Sequence, residues 1–158
     1  MRLDELIGPD HIVDALRASD KQQLLRQLSQ RAGRALSLDA DVILGALQTR
    51  ETLGSTGVGQ GIALPHAKIS GLRQLFGLFA RLERPIDFDA IDQQPVDLLF
   101  LLLAPENTPR DQIAALARIS HLFRDAGACG ALRQAPTAEA IYAIIKAQPA
   151  AGDSAKPS

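Results

Sequence analysis

Cysteine and aromatic residues are scarce in this chain of 158 residues, which has one cysteine, no tryptophan, one tyrosine and five phenylalanines. A single thiol, Cys129, excludes an intramolecular disulfide framework and suits a reducing compartment. Its expected role is that of a small buried hydrophobe rather than a nucleophile. With aromatics at 4%, the chain lacks the stacking platforms of single-stranded nucleic-acid binders. An excess of one charge is missing too: the net charge is −1, which gives no broad attraction to nucleic acid or anionic lipid. The longest apolar run, residues 98–104, falls far short of the roughly 20 residues that a membrane-spanning helix needs. The opening "MRLDELIGPDHI" carries acids where a signal peptide needs a basic region and an apolar run. The expectation is a cytoplasmic protein with no nucleic-acid partner and no membrane insertion.

What is present suits one globular domain. Apolar residues make up 46% and charged residues 22%, and a chain of this length buries roughly two-thirds of its unfolded surface. The domain is expected over residues 1–148, with "PAAGDSAKPS", residues 149–158, as a disordered tail.

The pattern of apolar residues predicts two opening helices. Asp20 caps the first, with Gln23 three residues on and an inward stripe of Leu24, Leu25, Leu28 and Ala32. The second starts within residues 37–39, turns Val42, Ile43, Ala46 and Leu47 inward, and ends near Arg50. Strands are predicted at residues 62–64, 75–82 and 96–103, the last apolar throughout, as in a strand covered on both faces. Thr108 as N-cap, Pro109 at the first helical position and Asp111 near the positive dipole end begin another helix. A final helix over 137–147 carries Ile141, Ile144 and Ile145 inward. Helices before, between and after strands predict an α/β sandwich: a mixed sheet flanked by helices.

The richest segment is "LGSTGVGQGIALPHAK", with Gly54, Gly57, Gly59 and Gly61 just before Pro65-His66. It fails as a phosphate-binding loop of nucleotide enzymes. Gly54 and Gly59 have the right spacing, but Gln60 and Gly61 stand where Lys and Ser/Thr are required. The dinucleotide pattern fails as well, because Ile62 occupies the third glycine position. The segment also runs from helix to strand, the reverse of both motifs.

Its alternative use is to serve the histidine. Pro65 pushes Leu64 towards an extended conformation, so His66 belongs at a stiff strand end. Roughly three-quarters of ordinary imidazoles are neutral at pH 7, which leaves one ring nitrogen nucleophilic. Loop amides and the hydroxyls of Ser55 and Thr56 lie nearby in sequence, and Arg50 can neutralise an arriving anion. Nucleophile, cradle and cation thus fall within 17 residues. The spacing equally suits an ordinary strand-end histidine beside a glycine turn, and composition does not choose between the two.

A family resemblance bears on that choice. "TRETLGSTGVGQGIALPHAK" and the following "GLFARLERPIDFDAIDQQPVDLLFLLLAPE" closely resemble the nitrogen-regulatory enzyme IIA proteins of the phosphotransferase system, within the fructose/mannitol-type IIA family. The likeness covers residues 3–146. It implies a mixed sheet flanked by helices. It further implies that His66 accepts a phosphoryl group on Nε2 from a phosphorylated histidine-containing carrier protein, and that Arg50 helps to form the phosphoryl site. Regulated targets in potassium or nitrogen metabolism are implied as partners, with no cofactor. One departure stands out: the family usually has a second histidine where "PRDQIAALARIS" carries Gln112. Helical spacing places Gln112 with Leu116, Ile119 and Phe123, facing inward. Glutamine can hydrogen-bond a phosphoryl oxygen but carries no charge.

His121 falls on the opposite, polar face and is expected to be exposed, while His11 is a local N-terminal residue. Three histidines and one cysteine show no zinc-ligand spacing, so no metal is expected. With no second module in these residues, signalling is favoured over sugar uptake. The alternatives are a non-catalytic protein-binding module and a sugar-specific IIA component of an uptake chain.

Overall fold

The computed structural model describes residues 1–148, and the predicted tail lies outside the described residues. Its order begins with two short 3-10 turns, Leu3–Glu5 and Pro9–His11, and strand β1, Ile12–Leu16. Helices α1, Lys21–Leu36, and α2, Ala40–Thr52, follow, then strands β2, Gly57–Gly59, β3, Ile62–Ala63, and β4, His66–Ile69. Two long strands, β5, Phe76–Ile86, and β6, Val96–Pro105, precede helices α3, Pro109–Arg124, α4, Ala126–Gln134, and α5, Ala138–Lys146.

The strands make one mixed sheet in the order β1-β5-β6-β3-β2, with β4 also pairing β6. Strand β6 is its axis, antiparallel to β5 and parallel to β3, β4 being parallel to it as well. Alternation along β6 explains why its sequence is apolar throughout. Leu99, Leu101 and Leu103 join the core under α1 and α2, with Leu24, Leu28, Ile43 and Leu47. Leu98, Phe100 and Leu102 join the core on the other side, with Ile119, Leu122, Leu132 and Ile141. The sheet is therefore sandwiched between two helical layers, as the sequence predicts.

Asp20 caps α1 by accepting from the Gln23 amide at 2.8 Å, while Gln23 reaches back to the Ser19 amide. Other expectations need correction. On α2 the inward residues are Ile43, Leu44 and Leu47, and Val42 is exposed, because the sheet lies beneath a stripe one residue further on. Thr108 stands at the N-cap of α3, but its hydroxyl donates to the Pro105 carbonyl instead of capping. Arg118 is buried and His121 is half-buried, so the face of α3 read as polar is not an exposed one. Cys129 is buried as expected, with its Sγ 3.3 Å from the Phe123 carbonyl, and burial pushes its thiol up.

Candidate functional site

The glycine segment folds into a hairpin. β2 pairs antiparallel with β3, Gly59 opposite Ile62, across the two-residue turn Gln60-Gly61. Both turn residues have positive φ, 58° and 81°, as the tight turns that match strand twist require. Gly57 is needed for a different reason: a Cβ there would sit 2.9 Å from Ala90. The glycines thus shape a hairpin that packs against the loop after β5.

From this hairpin the chain passes through Leu64-Pro65 into β4. β3 pairs with Leu98 and Leu99, and β4 resumes along the same strand with His66 opposite Leu102. Proline has no N–H for the ladder, so the strand breaks here. The Pro65 carbonyl still accepts from the Leu102 amide at 3.0 Å, and the Leu64 amide donates to the Thr56 carbonyl at 2.9 Å. The Leu64 carbonyl is left for the His66 ring, 2.7 Å from Nδ1.

That contact sets the tautomer. A carbonyl can only accept, so Nδ1 carries the proton and Nε2 presents a lone pair. Arg50, in the last turn of α2, donates its Nε–H to that lone pair at 3.3 Å and its Nη1–H to the Gly54 carbonyl at 3.0 Å. Burial pushes the half-buried imidazole below its ordinary pKa, and the Arg50 charge acts in the same direction. The Leu64 bond and the Glu51 carboxylate oppose it without reversing the sign. His66 is thus held with its proton on Nδ1 and its Nε2 lone pair against the Arg50 guanidinium.

The predicted cradle takes a different form. The Ser55 hydroxyl donates to the Phe88 carbonyl at 2.7 Å and accepts from the Gly57 amide at 3.0 Å. The Thr56 hydroxyl, buried, donates to Glu51 Oε2, and the Thr56 amide donates to Glu51 Oε1 at 3.1 Å. The amides of Gly54 and Gln60 are also taken, by the Glu51 carbonyl and Asp92. Ser55 and Thr56 therefore build the loop in this structure and do not offer their hydroxyl protons to His66. Of the expected groups, Arg50 alone is hydrogen-bonded to the ring.

Gln112 is half-buried in the first turn of α3, and among the described residues no hydrogen bond joins it to His66. His11 packs on Phe76, ring centroids 4.7 Å apart. No cluster of three or more His, Cys, Asp or Glu among the described residues could hold a metal ion.

Sequence reasoning missed Glu51 and Lys21, which form a half-buried ion pair at 2.9 Å. A signal existed: a carboxylate in the last turn of a helix faces the negative end of the dipole and needs a local reason to be there.

Residues 5–148 match the family described as "Phosphoenolpyruvate-dependent sugar phosphotransferase system, EIIA 2". A nitrogen regulatory protein of Bradyrhizobium diazoefficiens is 45% identical over 150 residues, 95% of this chain and 98% of that protein. The chain belongs to the nitrogen-regulatory IIA proteins of this family. A Pseudomonas aeruginosa nitrogen regulatory protein is 39% identical, covering 92% of this chain and 95% of its own. The crystal structure of the nitrogen regulatory protein IIA-Ntr from Neisseria meningitidis superposes with a TM-score of 0.86 at 34% identity, over 90% of this chain and 98% of that one. The mannitol IIA of Escherichia coli, at 16% identity and a TM-score of 0.74, shares the fold. Among the described residues no helix is long and apolar enough to cross a membrane.

Proposed function

We propose that this chain accepts a phosphoryl group on His66 Nε2 from a phosphorylated histidine-containing carrier protein, and that the charge so added changes which regulated partners bind. The observation that carries this reading is the pair of contacts on one ring, Nδ1–H to Leu64 and Nε2 to Arg50. The Nε2 lone pair attacks phosphorus as the carrier's P–N bond breaks, and the departing electron pair returns to the carrier's imidazole. For this attack the Arg50 Nε–H releases the lone pair and turns its hydrogen bond to the phosphoryl oxygens, where charge develops. The Nδ1–H bond to Leu64 keeps the ring in the reactive tautomer and stabilises the positive charge that grows on it.

The donor already holds an activated group, so positioning and charge stabilisation suffice and no cofactor is required. Gln112, at the start of α3, supplies an uncharged hydrogen-bond donor to the phosphoryl group, and the scaffold roles of Ser55 and Thr56 leave most of the anion to Arg50. A protein donor also suits the surface, since Leu53, Val58 and Ile91 are 80%, 53% and 82% exposed on segments bordering the hairpin and Arg50. The family points to cytoplasmic regulation of potassium or nitrogen metabolism through potassium-transport or sensor proteins, within a domain over residues 1–148.

Intact-mass measurement after incubation with a phosphorylated carrier, at neutral to mildly alkaline pH, tests this reading. One added phosphoryl group on the wild type and none on His66→Ala is the expected result. Absence of transfer from a panel of competent donors would overturn it. Gln112, uncharged where the family resemblance implies a histidine, gives some support to a second reading, a binding module indifferent to phosphorylation. In that case His66→Ala would lose modification and keep every partner.

A further inference from the structure

Glu51 lies next to the arginine that touches His66, yet it points the other way. Its carboxyl is only 6% exposed and is held by Lys21 Nζ at 2.9 Å, with Lys21 itself 13% exposed. Lys21 Nζ also lies over the Phe88 ring, 4.7 Å from its centroid, and 3.6 Å from Asp89 Oδ2. A buried carboxylate is tolerated only when paired and hydrogen-bonded, and the lysine anchors this one from the first turn of α1. Its two oxygens are then fixed in space. Both grip Thr56, one through the backbone amide and one through the hydroxyl.

From Thr56 two routes converge on the imidazole. The Thr56 carbonyl accepts from the Leu64 amide at 2.9 Å, which orients the peptide whose carbonyl holds His66 Nδ1 at 2.7 Å. On the other side, pinning Thr56 fixes the short turn from the end of α2, residues 53–56. The Gly54 carbonyl in that turn receives Arg50 Nη1 at 3.0 Å, and the same guanidinium donates through Nε to His66 Nε2. One carboxylate therefore braces the partners of both ring nitrogens.

We infer that Glu51, anchored by Lys21 and acting through Thr56, is the positioning residue of the His66 site, holding the ring as the Nδ1–H tautomer with Nε2 against Arg50. It touches neither His66 nor an incoming phosphoryl group. Its charge opposes the lowering of the His66 pKa, and its hydrogen bonds act on geometry, where a misplacement of about 1 Å can slow a reaction by about 100-fold.

The test compares the whole chain with its Glu51→Gln, Thr56→Val and Thr56→Ser variants by two readouts. The first, nitrogen NMR of the His66 ring, is independent of any activity. The second, the rate of phosphoryl transfer from a phosphorylated carrier, rests on the phosphoacceptor reading. Wild type should show the Nδ1–H tautomer alone. Glu51→Gln and Thr56→Val should show a mixture and a rate lower by about 10-fold or more, and Thr56→Ser should restore both. A folded Glu51→Gln protein with wild-type tautomer and rate, even if less stable, would overturn the inference. If Glu51→Gln does not fold, the Thr56→Val and Thr56→Ser pair decides by the same criteria. If the wild type takes up no phosphoryl group, the phosphoacceptor reading fails, and the tautomer populations still decide the role of Glu51.

Discussion

Arg50 Nε donates to the lone pair of His66 Nε2 across 3.3 Å, so in the proposed transfer the attacking nitrogen is first occupied by the cation that then receives the product's charge. The two functions are sequential. Before the proposed transfer the arginine disfavours protonation of Nε2, and after it the Nε–H that held Nε2 faces phosphoryl oxygens while Nη1–H stays on the Gly54 carbonyl. A charge-assisted hydrogen bond contributes roughly 1.5–3 kcal/mol, so Arg50→Met should slow phosphorylation of His66 by about 10- to 100-fold. Arg50→Lys should fall between, because an ammonium keeps the charge and loses the planar fork that spans His66 and Gly54. Initial rates by mass spectrometry check both, and a wild-type rate in Arg50→Met would remove the arginine from the mechanism.

The lowered pKa of His66 has a consequence for stability. Its ordinary value is 6.5, and in the folded chain it is lower because burial penalises the charged ring. Between those two values the unfolded chain binds more protons than the folded one, so stability rises with pH. The contribution is complete above about 6.5 and is lost as the pH falls from there through the lowered folded value. Urea unfolding at a series of pH values should show this decline, and His66→Gln should flatten it. NMR titration of the ring in Arg50→Met should shift its midpoint upward, since one cause of the lowering is gone.

The sandwich could be read from the chain because its signals are local and periodic. The Leu24, Leu25, Leu28, Ala32 stripe and the Val96-to-Leu103 run each answer to one kind of burial. β1, β2, β4 and α4 escaped prediction. The first three are short and owe their form to pairing with β5, β3 and β6, and α4 is a nine-residue helix with a small apolar face. At the site, the contact between Arg50 and His66 was legible because a cation and an imidazole fall within one short segment. The fate of the Ser55 and Thr56 hydroxyls was not. Their partners, Phe88 and Glu51, are chosen by packing of the loop after β5 and by α1, which proximity in sequence does not encode. The Leu64 carbonyl, a backbone atom, leaves no residue-type signature at all.

Gln112→His separates charge from shape. Residue 112 lies in the first turn of α3, where the helix dipole disfavours a cation by about 0.3–1 kcal/mol and lowers a histidine's pKa accordingly. The substituted imidazole should therefore be mostly neutral at pH 8, and transfer to His66 should match the wild type there. Below about pH 6.5 it should acquire charge and speed transfer relative to wild type, until protonation of His66 itself ends the gain. Rate ratios at several pH values check this, and an equal gain at pH 8 and pH 6 would assign the benefit to the ring's shape and not its charge.

Two glycine substitutions should move stability in opposite directions. At Gly61 φ is +81°, and an added Cβ would lie 2.7 Å from Arg133 Nη2 and 2.8 Å from Asp97 Oδ1. These two groups are hydrogen-bonded to each other at 2.9 Å, and the same Nη2 donates to the Gln60 carbonyl at 2.9 Å. Gly61→Ala thus strains the turn and pushes apart the clamp that fastens the hairpin to α4, a loss of about 1–3 kcal/mol. Gly45 is exposed inside α2 with open space around its Cα, so Gly45→Ala should stabilise by about 0.5–1 kcal/mol, or a few degrees in Tm. Thermal unfolding of both variants, with transfer rates alongside, tests more than stability. The hairpin leads directly into Leu64-Pro65-His66, so Gly61→Ala should slow phosphorylation under conditions where it remains fully folded, whereas Gly45→Ala should leave the rate unchanged. Equal rates in the two would mean that the hairpin contributes to the fold and not to the placement of the ring.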